Sequence, residues 1–405
     1  MPEMAERLIL TAAAGCCFFL GFESGSYQYV LVSAAAEFKV NAFVMGAFVT
    51  VQFLASMISP ALCGGLADRY GRKQIFGLFT GIFTLGCLWV FSSKGAAVFA
   101  LGIFVTGFGY SMCESLASVV AAAETKRSPD GVVNLIQSAF SLGAVTGPWA
   151  ADFIITVWRL DWRFVFLAAG VGSGLMAVLL ALGRKGASDR SMPWNRDKEA
   201  QNRKHRKPGS ALEYPYAFGE SLWVLAVLMF GYSMIETGGI YFIGTLQGSL
   251  GGGRGSAWGI SAVWLSMTVG RLIASRIRLN RLPVIAGGFF AASSAILGLS
   301  FYGSVRAGGA WILTGLCAAM GMSMGPVWPA LISCAIDRYP KKAARAASRM
   351  VMAGSAGGAV MPLFMGAVTD VCGVRSAYWM AAAVGAAACG IACLWGLKET
   401  LRKSV

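Results

Sequence analysis

The chain has 405 residues, of which 56% are hydrophobic and 13% are charged, and its formal net charge at pH 7 is +15. Soluble domains contain about 25% charged residues. The composition therefore excludes a disordered chain, a collagen and a disulfide-rich secreted scaffold, and it argues against a soluble enzyme. The basic residues lie in short islands between long apolar stretches, unlike the clustered basic face of a nucleic-acid-binding domain. These features predict a membrane protein with no nucleic-acid partner.

Twelve apolar stretches are long enough to cross a bilayer, because a spanning helix needs about 20 residues. They are expected at 8–34, 41–66, 74–93, 96–124, 131–157, 163–183, 219–247, 256–276, 282–303, 308–336, 343–371 and 376–397. The first begins after a segment with two glutamates and one arginine, unlike the positive start of a signal peptide, so we expect it to remain as span one. A polar stretch between spans six and seven predicts an N-terminal six-helix bundle (1–184), a cytoplasmic basic linker (185–218) and a C-terminal six-helix bundle (219–405).

The distribution of lysine and arginine predicts the orientation in the membrane. If both termini lie on one side, that side carries 27 of the 34 basic residues. Positive residues concentrate in cytoplasmic loops. We therefore expect a multi-pass protein of the cell (inner, cytoplasmic) membrane with both termini and the linker in the cytoplasm.

The two halves of the sequence contain similar sites at offsets of 212–215 residues. The matched pairs are Glu23 with Glu236, Ser111 with Ser323, Gly143 with Gly358, and Arg163 with Arg375. Such a repeat predicts two halves of the same orientation, related by an axis along the membrane normal. This is a transporter architecture, with the substrate site between the halves near the midplane.

Three carboxylates lie well inside predicted spans: Glu23 in span one, Glu114 in span four and Glu236 in span seven. A charge at the bilayer centre costs about 2.5–3.5 kcal/mol on insertion scales, so such residues usually face a cavity and function there. We interpret the three as proton-coupling or substrate-binding groups, although a protonated glutamate could also simply bridge two helices. Glu23 and Glu236 are each about 25 Å along their helices and are expected to face each other. The only histidine, His205, lies in the linker, so proton coupling would have to use the glutamates.

The loop after span two has an unusual arrangement of glycine and charge, Gly64-Gly65-Leu66-Ala67-Asp68-Arg69-Tyr70-Gly71-Arg72-Lys73. Its glycines permit a tight turn and its basic side chains favour the cytoplasmic face. The loop resembles the signature G-x-L-[AS]-D-R-x-G-R-[KR] of the major facilitator superfamily. The resemblance implies an all-α membrane protein with 12 transmembrane helices in two pseudo-symmetric six-helix bundles. It also suggests a cytoplasmic gate that stabilises the outward-open state, formed by Gly64, Asp68, Arg69, Gly71, Arg72, Lys73 and Arg271.

Shorter motifs resemble the fucose-permease-like branch of sugar/proton symporters. They are Asn134-Leu135 with Gln137-Ser138 in span five, Trp264 to Arg271 in span eight, Pro329 to Ser333 in span ten and Gly357 to Asp370 in span eleven. Glu114 falls where that branch keeps a glutamate implicated in proton coupling. Two departures fall in the expected sugar pocket: Tyr29 replaces an aspartate and Phe140 occupies a polar position. These departures weaken the case for a hexose substrate.

Aromatic and amide side chains in the spans that line the cavity of this superfamily are candidate substrate contacts, although packing alone would explain many of them. They are Tyr27, Gln28, Tyr29, Gln52, Tyr110, Asn134, Gln137, Tyr232, Tyr241, Trp264 and Trp328. In span ten, Pro326 and Pro329 should bend the helix beside the transport path. Basic residues are absent from the span centres, and Arg271 lies near the cytoplasmic end of span eight. This pattern favours a neutral or cationic substrate over an anionic one.

Several functions are compatible with the sequence. The first is a secondary active transporter that moves a small polar organic solute by alternating access, coupled to protons. The second is a proton-antiport exporter of cationic or lipophilic compounds. A non-transporting membrane sensor is a third, but the signature loop and the embedded acids argue against it. No nucleophile–base pair, phosphate loop or metal cluster is visible, so we expect no enzyme, cofactor or metal site. We expect a monomer whose partners are the substrate, the proton and the lipid bilayer.

Overall fold

The computed structural model describes residues 2–63, 66–124, 129–183, 220–249, 255–276, 281–301, 309–339 and 343–403. The predicted linker (185–218) and the predicted gate residue Gly64 lie outside the described residues. Within the described ranges the regular elements are all α-helices, which confirms the predicted all-α fold class.

Helices occur at all twelve predicted positions. Spans one to six are the helices Pro2–Phe38, Ala42–Cys63, Arg72–Phe91, Ala96–Glu124, Pro129–Thr156 and Phe164–Leu182. Spans seven to twelve are Glu220–Tyr241 continued by Ile243–Gly248, Gly255–Arg276, Arg281–Phe301, Gly309–Met324 continued by Val327–Arg338, Ala343–Cys372, and Val374–Lys403. A short helix, Leu66–Tyr70, lies in the loop between spans two and three.

Span five has the weakest apolar signal of the twelve predicted spans. In the described part of the chain, eleven helices are long and apolar enough to cross a membrane, and span five is not among them. It is nevertheless a helix of 28 residues that carries Asn134, Gln137 and Asp152 among its apolar residues. Polar residues inside a span usually face a bundle interior or a water-filled path, so span five is a candidate lining element.

The spans pack as two halves with equivalent contacts. In the N-terminal half, span one packs on span five, span four on spans two and three, and span six on spans one and three. In the C-terminal half, span seven packs on span eleven, span ten on spans eight and nine, and span twelve on spans seven and nine. The second pattern repeats the first, in agreement with the internal sequence repeat.

Spans one and five approach each other so closely that glycine is required at their contact. A Cβ atom on Gly21 would overlap the carbonyl oxygen of Phe140, and a Cβ atom on Gly143 would overlap that of Phe18. Small residues of this kind allow the backbones of membrane helices to touch. The contact holds span one, which carries Glu23, firmly against span five.

Arg163 joins three parts of the N-terminal half. Its guanidinium donates to Glu37 at the end of span one (2.6 Å) and to Asp161 before span six (2.9 Å). Its Nε donates to the carbonyl oxygen of Ser93, just after span three, at 2.7 Å. Burial opposes the charge, but the hydrogen bonds to both carboxylates outweigh it and raise the pKa of Arg163 above its usual value. Arg375, which matches Arg163 in the sequence repeat, is exposed.

The two halves meet along span two with span eleven, and along span five with span eight. The first contact lies toward the face opposite the chain termini, termed the opposite face. There Asp370, near the end of span eleven, accepts hydrogen bonds of 2.9 Å from the backbone N–H groups of Ala42 and Phe43 at the start of span two. A Cβ atom on Gly46 would overlap the carbonyl oxygen of Pro362, so the two backbones are in direct contact.

The contact between spans five and eight lies at the same depth. Ser261 donates its hydroxyl to the carbonyl oxygen of Val145 at 2.8 Å. The rings of Trp149 and Trp258 have their centroids 4.0 Å apart. These two contact zones together, span two with eleven and span five with eight, are termed the seam.

A central gap lies between the seam and the face that carries the chain termini, which is termed the terminal face. In the part of the chain that the structure describes, packing between the halves includes the ring of Phe53 against Gly358. Beyond that level, side chains well inside spans remain partly or fully exposed, including Glu114, Gln137 and Arg271. Exposed polar groups within spans face an aqueous gap rather than lipid. Within the described ranges, the structure is therefore closed at the opposite face and open toward the face that carries the termini.

Candidate functional site

The inner end of the gap is covered by residues from both halves. The indole Nε1 of Trp264 donates to Oε1 of Gln28 at 2.9 Å. The ring of Trp264 meets Phe140 edge-on with centroids 6.0 Å apart, and Tyr27 meets Tyr241 in the same way at 5.7 Å. Each pair joins the N-terminal half to the C-terminal half. These five residues, Tyr27, Gln28, Phe140, Tyr241 and Trp264, are termed the roof.

Below the roof, opposite charges come from the two halves. Glu114 of span four and Arg271 of span eight are both partly exposed, and their charges attract each other. Nη2 of Arg271 lies 3.2 Å from the sulfur of Met267, which is a weak acceptor. Nε of Arg271 is buried and has no hydrogen-bond partner. The guanidinium therefore has donor capacity that its surroundings leave unused.

Glu236 of span seven lies beside Arg271 in the C-terminal half. Tyr232, one turn earlier, donates its hydroxyl to Oε1 of Glu236 at 3.3 Å. Arg271 interacts electrostatically with Glu236 and also contacts the Tyr232 hydroxyl. The ring of Trp328 packs against Tyr232, with centroids 5.5 Å apart. Arg271, Glu236 and Tyr232 are termed the Arg271 cluster.

Glu23 has a different environment from the other two embedded glutamates. Its residue is only 1% exposed, whereas Glu114 and Glu236 are partly exposed. Its carboxylate accepts a hydrogen bond from Nε2 of Gln52 in span two at 3.1 Å. Glu23 and Glu236 thus have separate partners, and the structure does not show the facing pair that the repeat suggests.

The remaining predicted cavity residues divide into packing and exposed positions. Tyr29 donates its hydroxyl to Asp152 at 2.7 Å, which ties span one to span five inside the N-terminal half. Tyr110 is half-buried and packs edge-on against Phe140 beneath the roof, with centroids 6.4 Å apart. Gln137 is exposed, at the level of the gap.

The signature loop has a local structure that explains two of its residues. Gly71 has a φ of +96°, a conformation that side-chain-bearing residues rarely adopt. Nζ of Lys73 donates to the carbonyl oxygen of Gly183 at 3.2 Å, which joins the loop to the end of span six. Arg69 is exposed and lies over the ring of Tyr70.

For the other predicted gate residues, the structure gives less information about side-chain contacts. The side chains of Asp68 and Asn134 are not among those it describes, and Arg72 is half-buried. The sequence predicts Arg271 as part of this gate because the residue lies near one end of its span. The structure instead places its guanidinium in the central gap, two turns along span eight from Trp264.

Span ten is interrupted beside the Arg271 cluster. Its two helices end and begin on either side of Pro326, whereas Pro329 falls in the first turn of the second helix, where a missing N–H costs little. A Cβ atom on Gly325 would overlap the carbonyl oxygen of Met267 and approach the backbone nitrogen of Arg271. The break therefore brings span ten against the segment that carries the arginine.

The sequence did not predict the positions of Arg271 and Phe140 in the structure. The distance of Arg271 from the helix end predicts a place near the terminal face, but an arginine side chain is long enough to reach inward from that position. The sequence feature that indicates this inward position is the two-turn spacing between Trp264 and Arg271 along span eight. The sequence shows Phe140 only as a departure from a polar position, and in the structure its ring forms part of the roof.

Comparison with known proteins identifies the family. The family model of the Major Facilitator Superfamily matches residues 13–359 and 278–404. Quinidine resistance protein 1 of Saccharomyces cerevisiae is 25% identical over 171 residues, which cover 41% of this chain and 30% of that protein. The sialic acid transporter NanX of Escherichia coli is 25% identical over 181 residues, 44% of this chain and 43% of that protein. The chain thus spans less than half the length of these curated relatives.

The solved structure of a D-xylose–proton symporter has the same fold. It superposes with a TM-score of 0.73 at 18% sequence identity and covers 95% of this chain and 96% of that one. Because the family model matches most of the sequence, and the superposed structure has the same fold, the chain belongs to the Major Facilitator Superfamily.

Proposed function

We propose that the chain is a secondary active transporter that moves a small polar organic solute across the cell membrane by alternating access, coupled to protons. The observation that carries the proposal is the position of Glu114. Its carboxyl group is partly exposed in a gap that is open on one side and closed by the seam on the other. Such a group can exchange protons with one side of the membrane at a time, which coupled transport requires.

The concentration of lysine and arginine on the side of the chain termini supports a cytoplasmic location for the terminal face. With that orientation the gap opens to the cytoplasm, and the structure corresponds to an inward-open state. The transport cycle then needs the seam to separate while the gap closes at the terminal face. We assign the closing contacts to the signature loop, with Asp68, Arg69 and Arg72 stabilising the outward-open state.

Similar proteins support transport of polar solutes but also include a candidate exporter. NanX is named as a sialic acid transporter and the solved neighbour as a D-xylose–proton symporter, whereas another relative is named for quinidine resistance. The Arg271 cluster suits a polar solute better than a lipophilic compound, because its guanidinium and carboxyl group need polar partners. The resemblance to the fucose-permease-like branch is part of the proposal, with a substrate other than a hexose because the Phe140 ring occupies the roof.

The test is transport by the purified chain in liposomes that contain a pH-sensitive dye. Sialic acid, D-xylose, glucose and quinidine are added in turn, and we expect at least one solute to move together with protons. Glu114→Gln keeps the shape of the side chain but cannot exchange a proton. It should abolish accumulation driven by a pH gradient while exchange between equal pools continues.

Asp337→Asn is the matched control, because Asp337 is an exposed carboxylate that pairs with Arg281 at the end of span ten. It should behave like the unmodified chain. Full accumulation by Glu114→Gln under a pH gradient would overturn the coupling role. Absence of proton movement with every solute would overturn the proposed function.

A further inference from the structure

We propose that Arg271 is an anion-binding group that holds a carboxylate on the transported solute. This inference rests on the proposed function and narrows its substrate class from polar solutes in general to organic carboxylates. It replaces the expectation of a neutral or cationic substrate, which assumed that no basic side chain reaches the centre of the molecule.

The first support is the unused donor capacity of Arg271. In the described residues, the ion pairs within 4.0 Å are those of Arg163 with Glu37 and Asp161, and of Arg281 with Asp337. Arg271 has no such close counter-ion there, and its Nε is buried without a partner. A buried N–H donor without a hydrogen-bond partner is costly. A carboxylate matches the planar fork of a guanidinium with two parallel hydrogen bonds and would satisfy these donors.

The second support is access. Arg271 is partly exposed within its span, on the same gap as Glu114. The roof lies two turns further along span eight, so a solute entering from the terminal face meets Arg271 before it meets Trp264. The aromatic rings of the roof can then pack against the organic part of the same solute.

The third support is the arrangement of titratable groups around Arg271. Glu114 faces it from span four, and Glu236 and Tyr232 face it from span seven. Ionised glutamates would repel an incoming carboxylate, whereas protonated ones would not. Anion binding should therefore favour proton uptake by Glu114 or Glu236, and the affinity for the anion should fall as pH rises. This linkage produces symport of the anion with a proton.

The experiment uses pairs of compounds that differ only in the carboxylate: benzoate with benzamide, and sialic acid with its methyl ester. Binding to the purified 405-residue chain is measured from the shift in the unfolding temperature and from tryptophan fluorescence. We expect at least one carboxylate to bind, more tightly at mildly acidic than at mildly alkaline pH. Its uncharged partner should bind at least about tenfold more weakly, as expected for loss of a charge-assisted hydrogen bond.

Two variants at one position assign the binding to Arg271. Arg271→Gln should lose at least about tenfold in carboxylate affinity. Arg271→Lys keeps the charge but lacks the planar fork, so it should fall between Arg271→Gln and the unmodified chain. Arg349→Gln, which removes an exposed arginine from span eleven, is the control and should leave affinity unchanged.

Equal binding of the uncharged partners, no binding of either carboxylate, or full affinity in Arg271→Gln would each overturn the proposal. The pH dependence of the unmodified chain and the Arg271→Lys variant test it even if Arg271→Gln does not fold. The results distinguish failure of the anion site from failure of the proposed function. Proton-coupled transport of an uncharged solute that survives Arg271→Gln would overturn the anion site alone. Binding of a carboxylate to Arg271 without any coupled transport would overturn the proposed function alone.

Discussion

Gln52 is the hydrogen-bond partner that makes the burial of Glu23 tolerable. In Gln52→Leu the buried carboxyl group would keep its desolvation cost without its partner, so we expect the free energy of unfolding to fall by about 1–3 kcal/mol. The double variant Glu23→Leu with Gln52→Leu removes both polar groups and should recover most of that loss. The measurement is denaturant unfolding of the purified chain in detergent. If the losses measured for Glu23→Leu alone and Gln52→Leu alone simply add in the double variant, the two side chains are not coupled.

The sequence predicts the depth of an embedded glutamate but not its partner. Glu23 and Glu236 occupy matched positions in spans one and seven. At the 212-residue offset, however, the position of Gln52 is occupied by Trp264, whose indole donates to Gln28. Glu236 therefore lacks the equivalent amide partner and lies beside Tyr232 and Arg271. Side-chain direction and neighbouring spans decide the chemistry, and neither can be obtained from spacing along one helix.

At the scale of a single span, the break in span ten depends on close contact with span eight. A methyl group on Gly325 would overlap the carbonyl oxygen of Met267, which precedes Arg271 by one turn. We expect Gly325→Ala to cost about 1–3 kcal/mol through overpacking and to weaken substrate binding, because Arg271 is displaced. The measurements are the unfolding temperature and the binding assay with carboxylates.

Gly315→Ala in the same span is the matched control. A Cβ atom at Gly315 meets nothing within 4 Å, so this substitution should be neutral or stabilise the helix by up to about 1 kcal/mol. If both alanine variants behave alike, close packing at Gly325 has no special role.

The breaks in spans seven and ten differ in how far the sequence could predict them. Pro326 lacks an N–H group, so a bend in span ten follows from the chain itself. Span seven is also interrupted, at Phe242, but it contains no proline at that point. Phe242 is fully buried. Its conformation depends on packing with other spans, which the sequence of one span does not reveal.

At the scale of the whole molecule, Asp370 holds the seam closed by binding the start of span two. Its carboxylate accepts two backbone N–H groups at a helix N-terminus, where negative charge is favoured. Asp370→Asn removes the charge and one acceptor, so the population should shift toward the state that is open at the opposite face. Hydrogen exchange should then become faster in the first turn of span two and in the last turns of span eleven.

Asp152→Asn is the control for this experiment. Asp152 also accepts a hydrogen bond, from Tyr29, but that bond lies inside the N-terminal half. Its loss should not accelerate exchange at the seam. Unchanged exchange in Asp370→Asn, or equal acceleration in both variants, would contradict the role of Asp370.

The overall architecture was more accessible from the sequence than the conformational state. The thickness of a bilayer fixes the length of a span, so apolar stretches predict the spans and the repeat predicts the two halves. The signal was weakest for span five, whose Asn134, Gln137 and Asp152 lower its hydropathy. Opening toward one face could not be predicted, because the same helices exist in both states and differ only in how their ends meet.

The interactions of Arg163 have a mechanical consequence for the way this molecule changes shape. By linking the ends of spans one, three and six at the opposite face, Arg163 prevents those helices from tilting independently. A force applied at the seam would therefore rotate the N-terminal half as one stiff unit. The C-terminal half has an exposed Arg375 at the matched position, and its spans seven and ten are each broken into two helices. Bending during the transport cycle should thus concentrate in the C-terminal half, whereas the N-terminal half should move as a rigid body.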